Sequence, residues 1–496
     1  MGKREVFHVR SRGYENDPEV ERFELSEIDH ALPKIYTLLT LVYELDAAAD
    51  KSKLAQNLKA GLEITLSQYR SLAGELETDP TNGRVRIIRK KGKTVEYIVN
   101  DMSDNDDFPS FESLDREDFP AGKMDGDLLL PVAVTQKQPF TPLGEDKEDE
   151  TPILVAQVNY IRGGVIVAVA VHHCCSDGPG TDGFLAQWAA NTQAAATSSA
   201  LPAFDSSCLD RTPLMSQAKP SDEWMAATQK KIRSLDHVKE PPAPPPADFK
   251  MPPLSQVMLH FSTSGLAALK EATKQPGDGS DWVSTYDSIM AVLWRAFTRS
   301  RLEMFKPDMS SESHLLHAVG IRKAVTPALP PHYLGNALLL PKPGVPISTL
   351  IATGSDDNST NNTNTLPLIA ATVRQSIKDY TAPQMVADTL DWLAGTPHKS
   401  WIAIRVDGFL GMDVCGTSWG SMTAYARADF GFGLPRALRR PRPTVDGYIF
   451  MYPRRPKTGP GAEEEGIEVC VCLESSCMER LLRDEELARF ARPRGL

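Results

Sequence analysis

The chain has 496 residues, 41% hydrophobic and 24% charged, with a formal net charge of −11. That is the balance of an ordinary globular protein long enough for more than one domain, and it argues against nucleic acid or an anionic membrane surface as the main partner. Seven cysteines in no regular framework fit reduced thiols in the cytoplasm, no apolar run reaches membrane-spanning length, and the opening MGKREVFHVR lacks both a signal-peptide core and, with Val6 where Ser or Thr belongs, a myristoylation site.

In chain order, an apolar run from Ile35 to Leu45 after Pro33 predicts a strand. Leu54, Leu58, Leu62, Leu66 and Tyr69 recur at helical spacing, so residues 51–73 predict an amphipathic helix with a core-facing leucine stripe. Val85–Ile88 and Val95–Val99 flank Lys91-Gly92 and predict a hairpin. Residues 101–127 are acidic and irregular, which predicts a solvated surface segment, and Leu128 to Val134 predicts a further strand. A second hairpin, Ile153–Ile161 and Val165–Val171, turns across Arg162-Gly163-Gly164 and leads into a helix ending near Ala195.

Residues 196–255 change character to Ala, Ser and Pro, with PPAPPPADFKMPP near the end. They read as a partly extended link, interrupted by a helix around Asp222 to Ile232. A division follows into 1–195, the 196–255 link and 256–496. The second half opens with a strand at Val257–Phe261 and a helix at Ser264–Lys274. Ser284 to Arg301 predicts a helix with Ser284 as N-cap, Asp287 in its first turn and Arg299 and Arg301 in its last. Further on come a strand at His317–Ile321, a polar loop at 344–366, helices at Leu368–Tyr380 and Gln384–Leu393, strands at Tyr448–Tyr452 and Ile467–Leu473, and a closing helix carrying Met478 to Phe490. The sequons at Asn358 and Asn361 fall in the polar loop and read as loop chemistry.

The stretch around which the rest is organised is His172 to Gly180, HHCCSDGPG, between the alternating apolar strand and the helix. A histidine held at a strand end can serve as a general base, because its pKa lies near working pH. Asp177 can hold the turn, and Gly178 allows a close approach. A lone histidine is more often structural, and a metal at His172 to Cys175 is disfavoured because adjacent side chains on one turn should not all converge on one ion. Cys174 and Cys175 then read as packing residues. A second stretch, Asp429-Phe430-Gly431-Phe432-Gly433, predicts a tight structural loop and lacks the context of a phosphate cradle or a kinase.

Together the two motifs resemble those of the BAHD acyltransferases, within the CoA-dependent acyltransferase superfamily. AVGIRKAVTPALPPHYLGNA (318–337), Thr417-Ser418-Trp419 and the C-terminal helical segment extend the likeness over nearly the whole chain. The opening LSEIDHALPKIY and the proline-rich link look most like fungal secondary-metabolism members such as the trichothecene 3-O-acetyltransferases.

The resemblance implies an α/β fold of mixed sheets in two similar halves, like chloramphenicol acetyltransferase, with the site in a channel between them. It implies His173 as general base, Asp177 pointing away to hold the turn, and Trp419 Nε1 or the Thr417 hydroxyl as oxyanion donor. Gly178, Asp429, Gly431 and Gly433 would be structural, with Asp429 paired to Arg322. Phe432, where the family carries Trp, would keep the packing. Ser284, Thr285 and Ser418 are candidate CoA contacts. Acyl-CoA, by analogy acetyl-CoA, would be the co-substrate, a small-molecule alcohol or amine the acceptor, and the enzyme a monomer without a permanent cofactor. Two other readings remain: a condensation-type domain using a carrier-protein thioester, and a degenerate member that only binds a ligand.

Overall fold

In this computed structural model the described residues are 3–135, 152–239, 250, 252–274, 282–352, 365–441, 445–457 and 461–495. The hairpin Leu154–Ile161 and Gly164–His172 is buried at every position, as two strands of Val, Ala and Ile on a sheet covered on both faces should be. It lies inside a six-stranded sheet in the order Arg4–Arg10, Thr94–Asp101, Leu154–Ile161, Gly164–His172, Tyr36–Glu44, Ala437–Arg439. The last strand comes from far along the chain, so the second half of the sequence supplies an edge of the first sheet. A seven-stranded sheet runs Gly344–Pro346, Glu312–His317, Val414–Ser418, Tyr448–Met451, Ile467–Glu474, Leu254–Phe261, Arg492–Arg494.

Each sheet is backed by a long helix. Gly178–Thr197 packs on the amphipathic helix Lys51–Gln68. The approach is close: a Cβ on Gly61 would lie 2.1 Å from Thr192 Oγ1, and Trp188 Nε1 donates to Leu58 O at 2.9 Å. Thr285–Phe305 backs the second sheet, with Ser284 and Asp287 closing a capping box. It runs one turn beyond the expected end at Arg301, and Arg299 pairs with Asp484 and Glu486. The helices Leu366–Tyr380 and Pro383–Gly395 match the expected segments.

Several expectations are corrected. Val85–Lys90 and Thr94–Asp101 are strands, yet they do not pair with each other. The first joins Val20–Glu24 and Glu75–Thr78, and the second joins Arg4–Arg10 and Leu154–Ile161. The turn at Gly92, with φ +74°, passes the chain from one sheet to another. Alternation in a sequence reveals a strand but not its neighbour.

Residues 101–127 are not a solvated segment. Phe108, Phe111, Leu114, Phe119 and Met124 bury against Val42, Ile161 and Ile166 of the six-stranded sheet, while Glu112 faces out and Asp118 turns in to pair with Arg455 and Arg494. Leu128 to Val134 forms two short helical turns, Gly126–Leu129 and Val132–Thr135, the first capped by Asp125. The strand expected at His317–Ile321 begins earlier, at Glu312–His317, and is followed by a short one at Val319–Gly320. The closing helix divides into Ser475–Leu481 and Glu485–Ala488, where Asp484 caps a new start.

The link is partly built in. Its helix is Asp222–Ile232, and Leu235–His237 pairs with Ile402–Ile404. Cys208, Arg211 and Leu214 are buried. Most of the proline run and both sequons lie outside the described residues. Among the described residues no helix is long and apolar enough to cross a membrane.

Candidate active site

The histidine turn is held on four sides. Strand pairing sets Tyr36 opposite His172, and His173 N donates to Ile35 O at 2.8 Å. Cys175 N closes the turn on His172 O at 2.9 Å. Asp177 is the N-cap of helix Gly178–Thr197 and accepts from Gly180 N at 3.0 Å. Its two oxygens also receive the Arg322 guanidinium at 2.6 and 2.9 Å, and Ala337 N at 3.1 Å. The carboxylate is nearly fully buried and its acceptor capacity is spent on the scaffold, so it positions rather than reacts.

This overturns the expected pair of Arg322 with Asp429. Arg322 follows the short strand Val319–Gly320, beside the histidine turn, and its fork closes on Asp177 and on Tyr333 O at 3.2 Å. Asp429 Oδ1 turns instead into its own loop, accepting from Gly431 N at 2.7 Å and Gly433 N at 3.0 Å. Gly431 and Gly433 have φ of +99° and +97° with open space where a Cβ would stand, so backbone conformation rather than room selects glycine there. Gln193 Nε2 donates to Asp429 O. Phe430 packs edge-on to Trp188 at 5.0 Å, and Phe432 edge-on to Tyr43 at 4.8 Å. The loop is thereby riveted to the helix that begins at the histidine turn.

A second layer, not singled out from the sequence, supports the main chain of His173. Asn336 Nδ2 donates to His173 O at 2.7 Å and to Asp29 Oδ1 at 2.7 Å. Buried Asp29 also accepts from Ser26 N at 2.8 Å and from Arg211 Nε at 3.2 Å, and Arg211 reaches Cys175 O at 2.9 Å. Asp29 and Asn336 lie within LSEIDH and YLGNA, so motif likeness was the available signal. Arg211 lies in the link, where composition masks it.

The imidazole of His173 is partly exposed, with Nδ1 buried. Burial lowers its pKa below the usual 6.5, while its own main-chain carbonyl and the Asp177 charge pull the other way. The lowered pKa favours the neutral ring.

Trp419 meets this turn. Its indole is buried against Tyr452 and Phe450, with ring centroids 5.7 and 6.1 Å away. A Cβ on Gly178 would stand 3.2 Å from Trp419 Cδ1, 3.4 Å from Trp419 Nε1 and 3.0 Å from Met422 Cε. Glycine at 178 thus admits the indole. Asp182, one turn on, accepts from Thr423 N at 2.8 Å and Thr423 Oγ1 at 2.7 Å. Burial pushes its carboxyl pKa up against those donors.

Thr417 is half-buried on the strand two residues before Trp419. Ser418 Oγ accepts from Gly420 N at 3.2 Å. Ser284 Oγ accepts from Asp287 N at 3.2 Å, and Arg374 holds Asp287. Ser284 and Thr285 thus sit at the head of the second sheet's helix, and the bonds of Ser284 run into that cap.

Three of the four adjacent side chains of the turn do come together. His172 Nδ1, Cys174 Sγ and Cys175 Sγ lie within 4.8 Å of one another, because the tight turn folds three of the four side chains inward and leaves His173 outside. These three atoms could hold a soft cation.

This fold is that of an acyltransferase of the two-half type. A family model described as the transferase family matches residues 15–488, and the chain belongs to that family, the BAHD-type acyltransferases. Acetyltransferase FGR3 of Gibberella zeae is 30% identical over 100% of this chain and 95% of its own length. Trichothecene 3-O-acetyltransferase TRI101 of Fusarium sporotrichioides is 26% identical over 93% of this chain and 94% of its own. The fold also matches F. graminearum TRI101 complexed with Coenzyme A and T-2 mycotoxin, with a TM-score of 0.76, 20% identity and 95% and 99% of the two chains covered. The protein is an acyltransferase.

Proposed function

We propose that the protein transfers an acetyl group from acetyl-CoA to a hydroxyl of a small-molecule secondary metabolite, with His173 as general base. The observation that carries this is a histidine at the end of a pinned strand, next to a turn on which the Trp419 indole rests, with burial lowering its pKa. The relatives named for acetyl transfer support the choice of donor and acceptor class.

His173 Nδ1 is buried, which leaves Nε2 to take the acceptor's hydroxyl proton. As that proton leaves, the oxygen attacks the thioester carbonyl. Trp419 Nε1, with the Thr417 hydroxyl as the nearby alternative, donates to the oxyanion. The C–S bond then breaks, the thiolate takes the proton back from the imidazolium, and ester and free CoA leave. No acyl-enzyme forms, so Cys174 and Cys175 stay out of the reaction. Seven free, buried cysteines suit a reducing cytoplasm, and a site assembled within one chain suits a monomer.

The test is thiol release from acetyl-, malonyl- and longer acyl-CoAs, with and without a panel of polyketide and terpenoid alcohols. Release that needs both donor and alcohol, and vanishes in His173→Ala, supports the reading. Turnover only with an acyl-carrier protein would move the enzyme to the condensation type. CoA binding without turnover would make it a ligand-binding member.

A further inference from the structure

We propose that Asp182 is a positioning residue that fixes Trp419 over the histidine turn, an inference that rests on Trp419 being the oxyanion donor. Gly178 and Asp182 are four residues apart on one helix and so share a face. Gly178 supplies the flat seat for the indole, and Asp182 supplies the anchor beside it.

The segment it anchors is short. Trp419 N donates to Met451 O at 2.8 Å, which ties the indole's residue to the neighbouring strand. Met422 N then returns to Trp419 O at 2.9 Å, closing one turn. The next residue, Thr423, gives both its N–H and its hydroxyl to a single carboxylate oxygen of Asp182. The turn that carries Trp419 is therefore held at both ends. One end is on the second sheet, and the other is on the helix that starts at the histidine motif.

Nothing in helix capping requires an acid at 182, since Asp177 already caps this helix. Asp182 is 1% exposed and its Oδ1 is buried without a partner, so its position costs desolvation. His332 Nδ1 lies 3.9 Å away and Arg427 donates to His332 Nε2 at 2.8 Å, a partial charge balance on the outer side. A buried acid whose well-made bonds all go to one residue of the Trp419 turn is placed to hold that turn.

The experiment is a double-mutant cycle in the intact chain, read as kcat and KM with acetyl-CoA and an alcohol from the panel. Trp419→Phe should lower kcat about 10²–10³-fold, the usual effect of losing one oxyanion donor. Asp182→Ala should lower kcat roughly ten- to a hundredfold through misplacement of the indole, with KM for acetyl-CoA unchanged. In Asp182→Ala/Trp419→Phe the two losses should not multiply, because the first acts through the second. Asp182→Asn should recover activity, since its amide carbonyl can accept both Thr423 donors. If Asp182→Ala does not fold, Thr423→Val carries the same cycle. Multiplicative losses, or a change in KM alone, would overturn the role of Asp182. A Trp419→Phe enzyme with normal kcat would instead overturn the oxyanion assignment.

Discussion

The two motif loops carry an aspartate each, and the structure uses them differently. Asp177 is nearly fully buried, caps a twenty-residue helix and binds a guanidinium through both oxygens, joining segments 145 positions apart in sequence. Asp429 is half-buried and spends one oxygen on two N–H groups of its own five-residue loop. The first loop is fixed by long-range charge pairing. The second is fixed by local turn geometry and by Phe430 and Phe432 packed on Trp188 and Tyr43. A motif's invariant-looking acid therefore says little about its energetic weight until its partners are known.

The comparison is broken most severely at the proposed base. His173→Ala should lower kcat/KM about 10²–10⁴-fold while the melting temperature stays near wild type, because Asn336 and Ile35 hold the main chain at 173 and not its ring. Arg322→Ala should act in the opposite sense, on the fold. It strands a buried carboxylate, at a cost of roughly 3–5 kcal/mol. Loss of soluble protein, or a denaturant midpoint far below wild type, is the expected readout.

A pH profile sharpens the same point. The lowered pKa of His173 means that its neutral form persists into acid. The acid limb of kcat/KM should therefore inflect below 6.5, the ordinary histidine value. An inflection above it would show that charge pairing, not burial, governs the ring.

These contrasts were unevenly legible in the sequence. The strand–turn–helix around His173 was readable because alternation, turn residues and a helical pattern agree there. The capping box at Ser284 and Asp287 was readable for the same local reason. Arg322 was picked out but given the wrong partner, since a sequence shows which charge needs a mate and not which mate lies 3 Å away. The core formed by Phe108 to Met124 was missed because acidic residues dilute its apolar spacing. Arg211, Asp182 and Thr423 have no motif at all; each matters through one or two contacts made far along the chain.

The smallest expected effect is the one that separates the two loops. Asp429→Ala removes two hydrogen bonds from main-chain N–H groups at a partly exposed loop, comparable to losing a helix cap, at about 1–2 kcal/mol. The aromatic rivets remain, so the protein should stay soluble, with a modest fall in melting temperature and activity within a fewfold of wild type. Gly431→Ala should cost a similar amount, because φ of +99° strains any residue with a Cβ although open space surrounds it. Measuring Asp429→Ala beside Arg322→Ala by denaturant midpoint sets the gap between the loops. If Asp429→Ala proves as damaging as Arg322→Ala, the second loop is held through its acid after all, and the aromatic packing on Trp188 and Tyr43 depends on that turn for its formation.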